Sequence, residues 1–190
     1  MIYKDYKEYI KQQVVRAESK WGRKPEFNEP FKKNLKHTLN KLNVGQPKSI
    51  CCMGIRDGTE LFVFKELFPQ AEVVGTDITE NIKTIKTEGK VKVYLQDFNN
   101  LPQGWTDKFG LVYSNSLDHS YDPKNTLKEW HRVTSKYILL ELSTHSETNI
   151  EHTFTWGDLP TLFPPEMFSR LETWETPKRK ILTVLTEVVK

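Results

Sequence analysis

Between Lys48 and Leu142, short apolar runs alternate with helical patterns, and the runs stop at a glycine or a polar residue. Ser49–Met53 ends at Gly54, Val73–Thr76 ends at Asp77, Val91–Leu95 leads to Asp97, and Phe109–Ser114 leads to Asn115. Tyr137–Leu142 is a fifth run. Between them, Leu61, Phe64, Leu67 and Phe68 recur at helical spacing before Pro69, and a shorter helical segment falls around Ile82–Ile85. Asp122-Pro123 is a helix start, with Asp as cap and Pro in the first turn, and Leu127, Trp130 and Val133 supply that helix's buried face. Strands separated by helices pair in parallel through crossovers, which imposes an open α/β sheet covered on both faces.

The tail departs from that rhythm. A short helix is expected near Asp158–Phe163, then two strands at Phe168–Trp174 and Ile181–Val188. Only the turn-forming stretch Glu175–Lys180 separates these strands, so they form an antiparallel hairpin. The expected fold is a Rossmann-like three-layer α/β sandwich whose mostly parallel, seven-stranded sheet ends in an antiparallel hairpin. The six-parallel-strand nicotinamide-binding arrangement lacks such an ending. Ahead of it, Ile2, Tyr6, Tyr9, Ile10 and Val14 mark one helical stripe, and Phe31, Leu35, Leu39 and Leu42 mark another. A loop at Trp21–Pro25 divides these helices, and the second ends near Asn43–Gly45. Residues 1–47 therefore read as a helical extension packed on the core, and residues 48–190 as the main domain.

Composition narrows the setting. With 37% hydrophobic residues the chain can build a core. It has none of the apolar runs of about 18 residues that cross a membrane, and its charged start is unlike a signal peptide. A cytoplasmic protein without membrane insertion is expected. Cys51 and Cys52 are neighbours on a strand and point to opposite faces, so no disulfide is expected, and no ligand spacing for a metal is present. The net charge of +3 conceals a basic start: residues 1–48 hold twelve Lys/Arg against five Asp/Glu. Such a segment is either a solvated helix face or an attractor of anionic partners.

In open α/β sheets, ligands bind beyond the carboxyl ends of the strands, where strand order reverses. The loop Gly54–Thr59 is either a simple tight turn or a ligand-cradling loop opening a helix. Asp77 ends the second strand nineteen residues after Gly58, where a carboxylate can accept both hydroxyls of a ribose. Asp97-Phe98 offers an acceptor and an aromatic surface for an adenine ring, or else a turn aspartate.

Ser49–Glu60 (SICCMGIRDGTE), Val73–Ile78 (VVGTDI), Tyr94–Phe98 (YLQDF) and Leu111–His119 (LVYSNSLDH) resemble successive motifs of class I S-adenosylmethionine-dependent methyltransferases. The likeness is strongest to their small-molecule, type 11 branch and covers residues 48–142. It implies S-adenosylmethionine as cofactor. Gly54, Ile55, Arg56 and Gly58 would wrap its methionine part, and Asp77 would hold the ribose. Ile78, Asp97 and Phe98 would take the adenine, with Asn115 and Ser116 beside the methyl group. Two positions depart from the family pattern. Cys52 stands where an acidic residue usually helps to hold the cofactor's amino-acid end, and Arg56 stands where a glycine is usual. Arg56 either pairs with the cofactor carboxylate or blocks the pocket.

His119 follows the fourth strand and is the candidate general base, with Asp118 a weaker one; a backbone-bonding structural histidine is the alternative. His145, His152 and Trp156 are candidates for substrate contact, and Trp21 and Arg23 for a lid. No Asn/Asp-Pro-Pro-Tyr/Phe motif follows the fourth strand and no target-recognition domain is added, so nucleic acid is disfavoured. The acceptor is expected to be a small molecule, such as a sugar, nucleotide or other anionic metabolite. The competing readings are a binding or interaction module that has lost catalysis, and a nicotinamide-dependent oxidoreductase, against which the missing GxGxxG weighs.

Overall fold

A computed structural model describes residues 3–20, 28–41, 44–144, 152, 154–176 and 181–190. Two helices come first, α1 (Tyr6–Lys20) and α2 (Asn28–Lys41). The alternating part runs β1 (Ser49–Met53), α3 (Thr59–Leu67), β2 (Glu72–Asp77), β3 (Lys92–Leu95), β4 (Phe109–Ser114), α4 (Pro123–Val133) and β5 (Thr134–Ser143). A short helix α5 (Leu159–Leu162) and the strands β6 (Phe168–Thr176) and β7 (Ile181–Val188) complete it.

The seven strands form one sheet in the order β3-β2-β1-β4-β5-β7-β6. The pairs among β1 to β5 are parallel, whereas β7 runs antiparallel to both β5 and β6. The terminal hairpin thus inserts its second strand beside β5. Strand order reverses at the β1–β4 junction, which opens a crevice above Met53 and Ser114.

Side-chain alternation divides the core into two layers. On one face Cys51, Met53, Val112, Ile138 and Leu140 pack under Leu127, Trp130 and Val133 of α4. On the other, Ile50, Cys52, Tyr113 and Leu139 pack under Leu61 and Phe64 of α3 and Leu35 and Leu39 of α2. The two cysteines lie on opposite faces as free, buried thiols. Burial drives both thiols well above their ordinary pKa, so they behave as small apolar fillers. Among the described residues, no helix is long and apolar enough to cross a membrane, and no acidic, histidine or cysteine cluster has metal-binding geometry.

Local chemistry explains both the boundaries that agree with expectation and those that differ. The Asp122 carboxylate accepts from the backbone N–H groups of Lys124 and Asn125, both at 3.1 Å, so α4 starts where its cap and proline place it. β5 begins at Thr134 instead of Tyr137 because Thr134 already pairs with Phe109 across the sheet. The polar run Thr134-Ser135-Lys136 hides that start from any apolar pattern. The Ile82 segment forms only a 3-10 turn, Glu80–Thr84. The expected loop at 21–25 and Leu42 lie outside the described residues.

Candidate functional site

The crevice at the reversal point holds a cavity of about 370 Å³, within the range of small-molecule sites. Its floor comes from the carboxyl ends of β1 to β4, and its far wall from Tyr9, Gln13, Arg16 and Ala17 of α1.

The first loop is bent for close approach. Gly54 has φ 72°, and a Cβ there would sit 2.8 Å from Ser116 Oγ and 3.3 Å from the Phe98 ring. A side chain at this point would fill the cavity mouth and collide with the β4 loop. The N–H groups of Gly54 and Ile55 donate to the Thr76 carbonyl at 2.9 and 3.1 Å, which ties the loop to β2. Arg56 adopts φ 43°, so this chain keeps at a non-glycine residue the left-handed backbone that a glycine adopts without strain. Its guanidinium is half-exposed at the cavity wall, 3.9 Å from the Asp57 carboxylate.

Asp77 is buried at the end of β2. One carboxylate oxygen accepts from the Arg56 N–H at 2.8 Å; the other accepts from the Thr79 N–H and hydroxyl, each at 3.1 Å. Three of roughly four acceptor positions are therefore engaged by the protein itself. Asp97 is similarly committed. Its Oδ1 accepts from the backbone and side-chain N–H groups of Asn99, both at 2.8 Å, and its Oδ2 accepts a short hydrogen bond from the Tyr6 hydroxyl of α1. Burial, then the Asp97 carboxylate, push the Tyr6 phenol upward, so it remains a donor.

Beyond β4, Ser116 Oγ lies 3.1 Å from Asn115 Oδ1, while Ser114 Oγ donates to the Met53 carbonyl at 3.0 Å and pins the loop to β1. Leu117–His119 forms a 3-10 turn that carries His119 to the cavity, and the His119 carbonyl accepts from the Tyr9 hydroxyl at 2.8 Å.

Nine of the ten residues expected to hold a ligand line this cavity together: Gly54, Ile55, Arg56, Asp77, Ile78, Asp97, Phe98, Asn115 and Ser116. Gly58 does not. It caps α3 with φ 76°, and a Cβ added there would meet Ile85 at 3.1 Å, so its part is to start the helix. His152 bonds to the backbone of Asp118 and Ser120 away from the cavity, and Trp156 opens a separate 3-10 turn. His145, Trp21 and Arg23 lie outside the described residues.

Two sets of lining residues escaped the sequence reading. The α1 wall gave only a weak signal, since Tyr9 reads as an ordinary member of an apolar stripe. Glu60 carried a better one: an acidic residue in the first turn of a helix whose next residues are Leu61, Phe62, Val63 and Phe64. The residue lines the cavity although it is only 5% exposed. Burial pushes this carboxyl up to about 8; Asp57 and Asp77 reinforce the shift, while its own backbone N–H and Arg56 oppose it.

A family model described as "Methyltransferase domain" matches residues 54–173. No curated protein matches the chain significantly. Among solved structures, the 1,6-didemethyltoxoflavin-N1-methyltransferase of Burkholderia thailandensis, with bound 1,6-didemethyltoxoflavin and S-adenosylhomocysteine, superposes with a TM-score of 0.74 at 14% identity, covering 100% of this chain and 93% of that one. A SAM-dependent methyltransferase from Aquifex aeolicus gives 0.67 at 15% identity over 81% of this chain and 89% of that one. The CurJ carbon methyltransferase gives 0.66 at 13% identity over 86% of this chain; the match spans 54% of that longer protein. At such identities the likeness speaks for the fold.

Proposed function

The chain belongs to the methyltransferase domain family, and from that premise we propose that it binds S-adenosylmethionine in the crevice and methylates a small-molecule acceptor. The observation that carries this reading is the convergence of Gly54, Asp77, Asp97 and Ser116, from four different strand ends, on one cavity. The similar Burkholderia enzyme has the same fold and holds S-adenosylhomocysteine, which supports the same class of ligand here.

The residues present fit such a ligand. Gly54 leaves open the space that a Cβ would close against Ser116. Asp77 and Asp97 line the cavity and each keep about one acceptor position, suited to a ribose hydroxyl and to an adenine amino group. Ile78 and the Phe98 ring give the adenine apolar contact, and the half-exposed Arg56 suits the carboxylate of the amino-acid end. When bound, S-adenosylmethionine supplies an activated methyl group.

The work left to the protein is alignment, water exclusion and, for a hydroxyl acceptor, proton removal. Asn115 and Ser116 would bound the methyl end, with α1 across the cavity, and His119, which lines the same cavity, would act as the general base. Arg16, on the α1 wall, adds a cation that favours an acceptor carrying an anionic group.

Thermal shift with S-adenosylmethionine, S-adenosylhomocysteine and NAD tests the reading: the two sulfur ligands stabilise the protein and NAD does not. No shift with either sulfur ligand would sink it. Binding without turnover across a panel of small anionic acceptors would leave a non-catalytic module. His119→Ala lowers turnover by about 100-fold or more if the histidine is the base; full turnover in that variant rejects the role.

A further inference from the structure

Glu60 is a deeply buried acid on the cavity wall whose carboxyl is met by its own backbone N–H and, among the described residues, by no ion pair, whereas Asp77 is tied down by Arg56 and Thr79. A carboxyl group taken out of water without a cation is costly, and side chains of this kind persist where a ligand completes them. Its surroundings describe what is missing. Cys52 on β1 and Tyr113 on β4, which are register partners, both feel the Glu60 charge from the sheet side. Tyr113 in turn donates to Glu141 of β5 at 3.2 Å. Asp57 and Asp77 approach from the loop and from β2. Against these anionic or neutral groups stands Arg56, whose guanidinium is half-exposed and lies beside Asp57. Across the cavity, α1 presents Tyr9 and Arg16. Of the charged groups that act on Glu60 among the described residues, Arg56 alone is positive, so a ligand cation would complete the ionised carboxylate.

We propose that Glu60 is the counter-ion of the ligand's α-ammonium group, reaching from α3 into the space served, in the family pattern, by an acidic side chain at position 52. The inference rests on the cofactor reading above. Cys52 and Glu60 are close enough to interact, so the loss of a carboxylate from β1 and its arrival from the first turn of α3 put the charge in one neighbourhood. Arg56 and Glu60 then bracket a zwitterion, with a guanidinium for its carboxylate and a carboxylate for its ammonium. The loop between them sets the spacing. Glu60 sits in the first helical turn, where the exposed N–H groups also favour its ionised form once a cation arrives.

Proton linkage follows. In the empty cavity Glu60 holds its proton up to about pH 8. A bound ammonium favours the carboxylate, so binding at neutral pH expels a proton, and affinity rises with pH until Glu60 is ionised beforehand.

Isothermal calorimetry with S-adenosylhomocysteine and 5′-methylthioadenosine, which lacks the amino-acid end, tests this in buffers of different ionisation enthalpy. With wild-type protein at pH 7, the first ligand should release close to one proton, and its affinity should rise about tenfold per pH unit from about pH 6 toward pH 8. 5′-Methylthioadenosine should show neither effect. Glu60→Gln should weaken S-adenosylhomocysteine by about 10- to 100-fold, abolish the proton release, and leave 5′-methylthioadenosine within about twofold. Proton-neutral binding by the wild type overturns the proposal, as does an equal loss of both ligands in the variant or no loss of either. Should Glu60→Gln fail to fold, the wild-type proton count decides alone. If the wild type binds neither ligand, the cofactor reading falls as well; if it binds both without proton linkage, only the role of Glu60 falls.

Discussion

The two walls of the cavity are built by different physics. The sheet wall is made during folding: Gly54, Asp77 and Ser116 stand at or just beyond the ends of strands whose side chains are mostly buried, and bonds to Thr76, Arg56, Thr79 and Ser114 fix the turns. The α1 wall is attached by contact. Tyr9 donates to the His119 carbonyl, Tyr6 to Asp97, and their rings meet Tyr121 at 5.4 and 5.2 Å. A buried core residue typically touches many neighbours, whereas an aromatic pair or a single hydrogen bond is worth about 1 kcal/mol. The wall that carries the strand-end acids is therefore rigid before a ligand arrives, and the wall facing the acceptor is held by few ties. Substitutions on the two sides should separate accordingly.

Removing a core support beneath the sheet wall should cost most. Trp130 is fully buried, its indole N–H donates to the Phe98 carbonyl at 3.0 Å, and its ring meets Phe98 edge-on. Trp130→Ala should destabilise the fold by about 3–5 kcal/mol in denaturant melts. A loss near 1 kcal/mol would mean that this wall is no firmer than α1.

Gly54→Ala attacks the same wall at one backbone position. The left-handed φ and the 2.8 Å approach to Ser116 together should cost about 1–3 kcal/mol. Displacing the loop should also weaken S-adenosylhomocysteine by about 100-fold. A variant that melts normally and binds normally would show that the loop yields as easily as the helix opposite.

The pH dependence of stability sharpens the contrast from within the sheet wall. Burial raises the Glu60 carboxyl in the folded protein to about 8, above its value in the unfolded chain. Between those two values the unfolded state has released its proton while the folded state keeps it. This group's contribution to stability therefore falls as pH rises from the ordinary carboxyl range to about 8, and it levels off above. Without ligand, Glu60→Gln should flatten that decline and stabilise the protein at alkaline pH by about 1–2 kcal/mol, while weakening the ligand. An unchanged pH profile in the variant would mean that Glu60 is not the group responsible.

This division also explains what could be read from the sequence. Strand ends announce themselves, because an apolar run must stop where the chain leaves the sheet; Asp77, Asp97 and Asn115 were visible for that reason. β5 was shortened because Thr134 to Lys136 are polar although paired. Glu60 was hidden by its helix, where an acidic residue in the first turn is ordinary and its burial depends on how α3 lies over Cys52 and Tyr113. The α1 wall was hidden more completely. Nothing local to Tyr9 or Arg16 records that the helix crosses the strand ends, and Tyr6 meets Asp97 across 91 residues of sequence. Contacts of that range are a property of topology, which no local period encodes.

The smallest expected effect is the most selective. Tyr9 is 1% exposed and packs against Tyr3, Tyr6 and Tyr121. Tyr9→Phe keeps that packing and deletes the bond to the His119 carbonyl, for about 0.5–1.5 kcal/mol. If α1 is a separately attached wall, the loss should be local. Hydrogen exchange should speed up in the α1 amides, while those of β1 and β4 keep their protection. S-adenosylhomocysteine affinity should shift by about twofold or less, because the strand-end contacts are unaltered, and turnover should fall further because His119 loses one of the bonds that position its turn. Uniform acceleration of exchange across the sheet would instead join the two walls into one cooperative unit. In that case the helix would be part of the frame that holds the strand ends.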